Sequence, residues 1–476
     1  MSAAPASGPL SGVRVLEFST AWAGPFAGRC LAFLGADVIK VEAPAHPDSW
    51  RGSRSGGAPR FYPRPAVDGP AYDCNVLFNS QNIDKRSLAL DLKRPGALAL
   101  FKRLVEQSDV ILANFTPGVL DRLGIGYDAM SAVNPAIIVA EMPAFGPGGP
   151  LSKHQGMGKT MEPATGMTSL MSYSGGEPVL TGPALMDPTG GLNMVAAVVS
   201  ALELRERTGH GSRILVPQVE AASQWIGEYV LAAIDGLAPS LPGGNGIPGA
   251  VLHDAFPCRG EDEWIAIAAM SAWDWLRLAG VLELPAETAA WLAPRDERPA
   301  AGSGDTAASG DAGSGDTAAA RRDAVQRATA AWDKHELAGR LQAAGVAAAP
   351  VLKGEEVATS AEMRAAGLIV TLDHPRVGPR EYSGLAFRFD RTPVSHHAAA
   401  PLFGEHNDQV LGELLGFGPE QLADLRAAGV IADEPTGDTD SPTARPPVPS
   451  GRGGAWAVNT TTVNTTAVTA QKTGGN

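Results

Sequence analysis

Short apolar runs alternate with longer segments of helical periodicity through the first half of the chain. Residues 13–18 (VRVLEF) read as a strand, residues 23–36 (AGPFAGRCLAFLGA) as a helix and residues 37–42 (DVIKVE) as a second strand. A continuous apolar run of this length fits a buried strand, whereas spacing near 3.6 fits a helix. The alternation repeats. Residues 88–92 predict a strand, residues 95–107 a helix opened by proline, residues 109–115 (DVILANF) a buried strand running through Asn114, and residues 136–142 (AIIVAEM) another. Residues 190–208 predict a long apolar helix, residues 212–217 a strand and residues 219–234 a further helix. This order builds a parallel sheet with helices on both faces, and ligands gather at the carboxyl ends of such strands.

Periodicity breaks over residues 237–257 (LAPSLPGGNGIPGAVLHDAFP), where Pro and Gly predict a linker or loop. A smaller mixed unit follows, with a strand at 263–270 (EWIAIAAM), a helix at 272–282, a long helical region at 321–345 and a final strand at VAAAPV. Inside it, residues 300–320 form a Gly/Ser/Asp/Ala segment with an imperfect SGDTAA repeat, expected to be a flexible insertion. The expected organisation is a large domain over 11–237, a smaller domain over 238–397, a C-terminal return over 398–433, and a disordered tail over 434–476.

Composition narrows the function. The 476 residues carry a formal charge of -13, which argues against nucleic acid as a partner, since phosphate backbones need clustered Lys and Arg. The three cysteines, Cys30, Cys74 and Cys258, lack CxxC spacing. With no leader pattern and no run of membrane-spanning length, a cytoplasmic protein without membrane contact is expected. Asn459 and Asn464 match glycosylation sequons only by chance in that setting.

Several motifs fail their context. Gly244, Gly246 and Gly249 satisfy GxGxxG, but no strand precedes them and Pro248 disrupts a helix start. Gly158-Lys159-Thr160 resembles the end of a phosphate-binding loop, yet Lys153 stands where its first glycine belongs. There is no GxSxG, and the nine histidines show no metal-binding spacing, so no metal is expected. His396-His397 reads as a polar loop.

MDPTGG, from Met186 to Gly191, reads as a helix start with Asp187 as N-cap and Pro188 at the first helical position. The same geometry suits a nucleophile: helix dipoles hold a carboxylate ionised there, and small glycines leave room for a substrate carbonyl.

Six blocks follow one another in order: GVRVLEFSTAWAGPFAGRCLAFLGADVIKVEAP, NIDKRSLALDLK, NFTPGVLDRLGIGY, AFGPGGP, TGPALMDPTGGLNMVAAVVSALELRERTGHG and APLFGEHNDQVL. Together they resemble the family III CoA-transferases, the CaiB/BaiF family, over residues 11–430. The resemblance implies an α/β, Rossmann-like large domain with a smaller mixed domain, and a homodimer whose chains interlock. It implies transfer of coenzyme A from an acyl-CoA donor to a carboxylic acid acceptor, with the CoA thioester as substrate and no tightly bound cofactor. Asp187 matches the nucleophile that forms first a mixed anhydride and then an aspartyl-CoA thioester. Asn114, Phe115 and Thr116 match the loop that holds CoA, and Lys93 and Arg122 its basic contacts. Trp22 and Ala23 match the approach to the thioester. Tryptophan at 22, where oxalate-using members carry glutamine, implies a more apolar acyl pocket. The glycine-rich stretch from Gly243 to Gly249 loosely resembles a loop that covers intermediates.

Two alternatives share the fold. α-Methylacyl-CoA racemases need a histidine base that falls, ungapped, on Met157, and methionine cannot carry a proton. His154 lies three residues away, and Glu162 is either a substitute acid/base group or a helix-surface charge. A non-catalytic CoA-binding homologue would lack Asp187, which is present.

Overall fold

The computed structural model describes residues 8–52, 71–173, 176–237, 244–247, 249–292, 318–386 and 388–437. Its centre is a six-stranded sheet formed by β1 (Arg14–Phe18), β2 (Asp37–Glu42), β3 (Arg86–Ala89), β4 (Val110–Ala113), β5 (Ile138–Glu141) and β6 (Arg213–Leu215). The order is β3-β2-β1-β4-β5-β6 and every pairing is parallel. Chain progression reverses between β1 and β4, whose carboxyl ends therefore flank a crevice, the place where doubly wound sheets bind ligands.

Side chains alternate across the sheet, so adjacent strand residues serve opposite cores. Leu16, Ile39, Ile111 and Val139 pack with Leu100, Phe101 and Leu104 of the helix Ala97–Val105 and with Val410 and Leu411 of the helix Asn407–Leu415. Val15, Val38, Val110 and Ile138 pack on the other face, with Ala27, Cys30 and Leu31 of the helix Ala23–Phe33 and with Met194 and Val198 of the helix Met186–Thr208. Each such aliphatic side chain contributes roughly 1.5–3 kcal/mol when fully buried.

A second sheet, order β7-β8-β9, is antiparallel and comprises β7 (Leu252–Pro257), β8 (Trp264–Ala269) and β9 (Ala347–Val351). Buried Trp275 packs in its core with Ile265, Ile267 and Leu337. Ser271 caps the helix Ala272–Val281 through the Asp274 N–H, and Asp333 caps the helix Lys334–Ala343. The strands β10 (Ile369–His374) and β11 (Gly378–Ser383) form a hairpin. The C-terminal return is tied to the large sheet by Asn407, whose amide oxygen accepts the Ala89 N–H at 2.9 Å.

Several sequence expectations change. β7 occupies the end of the expected linker. Asn114 lies just past β4 rather than within it, which frees its side chain for the crevice. The helix expected over 219–234 is broken into Gln218–Ser223, a 3₁₀ turn at Gln224–Ile226, and Gly227–Ile234. The expected helical region 321–345 is two helices, separated where Asp333 starts the second. Its first helix begins at Ala318, inside the expected insertion; residues 300–317 lie outside the described residues. Thr436 and Gly437, in the expected tail, donate to the Pro44 carbonyl, while 438–476, with both sequons, lie outside the described residues. His396-His397 is no free polar loop: Nδ1 of buried His396 is 2.6 Å from Asp84 Oδ2, and the His397 N–H also binds that carboxylate.

Candidate active site

The helix bearing Asp187 begins two residues earlier than an N-cap reading requires, at Met186 rather than Pro188. Its N-cap position is Leu185, and Asp187 stands in the first turn with its own N–H donating to the Ala184 carbonyl. The carboxylate is partly buried, and that burial pushes its pKa up to about 6, although the N–H groups of Ala23 and of Asp187 itself favour the ionised form. A carboxylate so placed is ionised at neutral pH yet poorly solvated, which suits a nucleophile.

Ala23 opens the other helix on this face, so the N–H of one helix start meets the carboxylate of another. The glycines of MDPTGG do not open space for substrate. Side-chain atoms at Gly191 would press on Phe26 and on the Ala23 carbonyl, and at Gly190 on Gln218 and Met142. Glycine there lets the two helices approach closely. The glycine beside the carboxylate is Gly158, where a Cβ would overlap Asp187 Oδ2 and Ala184 Cβ.

The turn before Ala23 is held from two sides. The Asn114 side chain accepts the Thr20 N–H at 3.0 Å and donates to the Thr20 carbonyl at 2.9 Å. Asp48 Oδ1 accepts from the Ala21 N–H at 3.0 Å, the Trp50 N–H at 2.9 Å and the Thr20 hydroxyl at 3.2 Å. Asp48 Oδ2 is 2.9 Å from Lys40 Nζ, and both side chains are fully buried. Trp22 is half-buried, with its ring 6.0 Å from that of Trp50.

At the carboxyl ends of β1 to β4 lies a cavity of about 350 Å³ lined by Phe18, Thr20, Asp48, Leu92, Lys93 and Phe115, among others. Lys93, exposed, places an ammonium at its mouth, and Phe115 an aromatic wall. Of the remaining residues singled out by sequence, Thr116 is half-buried and Arg122 is exposed on the four-residue helix Val119–Arg122; neither lines the cavity. Met157 is 62% exposed and precedes Gly158. Glu162 is not a surface charge: it is buried, and its carboxylate accepts from the Thr181 N–H at 2.9 Å and the Thr181 hydroxyl at 2.7 Å.

Sequence reasoning passed over Gly158 and Asp48. Gly158 belonged to the rejected phosphate-loop match. The signal for Asp48 is the DSW turn, since an aspartate often accepts the N–H two residues on.

Among the described residues no cluster suited to a metal ion occurs, and no helix is long and apolar enough to cross a membrane. The profile of CoA-transferase family III matches residues 10–407, and the chain belongs to that family. It is similar to the formyl-CoA:oxalate CoA-transferase of Rhodopseudomonas palustris, at 30% identity over 89% of this chain and 97% of that one. It resembles the enzyme of the same name from Streptomyces coelicolor equally, at 30% over 89% and 99%. Among solved structures, a CaiB/BaiF family protein from Brucella suis superposes with a TM-score of 0.70 at 26% identity, covering 86% of this chain and all of the other. The protein is accordingly an enzyme, a CoA-transferase, and membership of the family implies a CoA thioester as substrate.

Proposed function

We propose that Asp187 carries CoA between acids as a covalent nucleophile. The observation behind this reading is its carboxylate, half-shielded from water at a helix start, in line with the Ala23 N–H and free of a cationic partner among the groups that shift it. The carboxylate attacks the acyl-CoA carbonyl carbon, the C–S bond breaks, and CoA leaves as a thiolate. The thiolate attacks the aspartyl carbonyl of the mixed anhydride, which releases the donor acid and leaves an aspartyl-CoA thioester. The acceptor carboxylate then displaces the thiolate, and the thiolate takes the acceptor's acyl carbon, so that Asp187 is regenerated without net proton transfer.

In this reading CoA enters the cavity at the strand ends. Lys93, with Arg122 nearby, meets phosphate, Phe115 meets the apolar part of the cofactor, and Asn114 and Thr116 shape the loop. Trp22 and Met157 flank the acyl group. The experiment is CoA exchange between a panel of acyl-CoA donors and acids, beginning with formyl-CoA and oxalate, followed by mass spectrometry. Wild type is expected to transfer CoA and Asp187→Ala to lose it; an equally active mutant removes Asp187 from the mechanism.

We also propose a homodimer. Trp225, Leu231, Ile234 and Leu237 are each more than 60% exposed, and the helix Gly227–Ile234 buries none of its residues within the chain. An apolar strip of this kind suits a second copy. Leu231→Asp with Ile234→Asp should yield monomers in sedimentation; an unchanged mass would exclude this face. A cytoplasmic location fits three free, buried cysteines.

A further inference from the structure

We infer that Asp48 is a positioning residue for CoA transfer: through Thr20 and Ala21 it sets where the Ala23–Phe33 helix begins, and thereby aims the Ala23 N–H at Asp187. The inference rests on the reading of Asp187 as nucleophile.

Ala21 has φ +63°, a left-handed conformation that costs a residue with a Cβ about 1 kcal/mol or more. Something must hold it there. Its N–H donates to Asp48 Oδ1, the same oxygen that takes the Thr20 hydroxyl and the Trp50 N–H. Two residues after the strained alanine, the chain presents the N–H that faces Asp187. The hydrogen bonds of the Asn114 side chain to this turn go to the preceding residue, Thr20. Asp48 thus acts at the one position where the turn is under strain.

The aspartate is itself held in place. Burial pushes its pKa up, but Lys40 and the N–H groups of Trp50 and Ala21 outweigh that and keep it ionised. Its own N–H donates to Glu42 Oε1 at 2.9 Å, and Glu42 is in turn gripped by Arg51 at 2.7 Å. Lys40 also reaches Glu17 at 3.4 Å and the Ser19 carbonyl at 2.9 Å. These groups span the ends of β1 and β2, so the sheet itself carries the turn. The groups that shift Asp187 are burial and the two backbone N–H groups named above, so a displaced Ala23 N–H has a titration signature.

The test removes the acceptor without stranding a buried charge, by combining Asp48→Ala with Lys40→Met, and compares it with Asp48→Asn in the same Lys40→Met background. The amide keeps an acceptor oxygen at Oδ1. Losing it should lower kcat about 10- to 100-fold, and should move the acid limb of kcat/KM to higher pH by about half a unit or more, because the ionised Asp187 has lost a donor. The asparagine variant should recover most of the lost kcat and return the limb. A fall in kcat/KM at every pH with an unmoved limb overturns the proposal and leaves Asp48 as a cavity wall. Failure of asparagine to rescue overturns it as well. If the alanine variant does not fold, Thr20→Val carries the test: it deletes one donor to Oδ1 and should move the limb the same way by less, and an unmoved limb counts against the proposal. Full activity of Asp187→Ala would instead strike the nucleophile reading, whatever Asp48 does.

Discussion

Gly158 lies so close to Asp187 that any side chain at 158 would occupy the position of the carboxylate oxygen Oδ2. The two residues come from different helices, and the backbone of one shapes the space around the functional group of the other.

Gly158→Ala is therefore expected to fold and to transfer CoA poorly. Overpacking at one methyl costs about 1–3 kcal/mol, and here part of that falls on the carboxylate's orientation. A drop in kcat of tenfold or more, with a melting temperature within a few degrees of wild type, is the expected pair of measurements. Unaltered kcat would show that the carboxylate has room to move.

Activity should depend on pH with an acid limb near 6. Burial raises the pKa of Asp187 to about 6, and in the proposed mechanism only the ionised form attacks, so kcat/KM should fall as pH drops through that value. Stability runs the opposite way. A folded-state pKa above the unfolded one means that the native state binds the proton more tightly, so this group's contribution diminishes as pH rises from about 4 to about 6 and stays lost above. Asp187→Asn should accordingly be inactive yet more stable at pH 7, on the order of 1–2 kcal/mol by thermal or denaturant unfolding. A destabilised asparagine variant would contradict the burial argument.

Lys93 and Phe115 meet at one cavity from separate strand ends. Lys93→Ala should raise the KM for acyl-CoA about tenfold, a loss near 1.4 kcal/mol for one charge-assisted contact, with kcat little altered. Phe115→Ala should do likewise through lost apolar surface. If kcat falls instead while KM holds, the cavity is not where CoA binds.

Asp84 anchors the segment that brings the C-terminal return home. Burial pushes its pKa up, but the hydrogen bond from His396 and the neighbouring His397 outweigh this and hold it below the usual range. A depressed carboxylate stabilises the fold above its unfolded pKa and loses that contribution as pH falls through the native value. Asp84→Ala should cost about 2–4 kcal/mol at pH 7, since buried His396 Nδ1 and two backbone N–H groups lose their partner. The deficit should narrow toward pH 3. A cost below 0.5 kcal/mol would mean that the contact is dispensable.

The parallel sheet was legible because each buried strand is a short run of Val, Ile, Leu and Ala between glycine or polar turns, and both faces are covered. Asp187 was singled out through the blocks around it rather than through its own setting. What was hidden is telling. Asp48 and Asn114 act through side-chain bonds to a turn 27 and 94 residues away in sequence, a relation no periodicity encodes. Glu162 reads as an exposed helical charge, but Thr181 lies folded over it. Gly158 sits in a segment with no helical pattern, and its value depends on a carboxylate that arrives from another helix. The break at Gln224–Ile226 escaped because the apolar spacing runs on through it.

The close contact of Gly191 with Phe26 and Ala23 gives the enzyme a means of tuning. The Asp187 carboxylate and the Ala23 N–H ride on two helices whose separation is set by small residues in the interface between them. A change of one methyl group along that seam, at buried Val195 or Ala27 for example, would alter the spacing of carboxylate and N–H without changing a residue that lines the cavity at the strand ends. If Asp187 is the nucleophile proposed above, such a change would adjust how reactive the carboxylate is from a position outside that cavity.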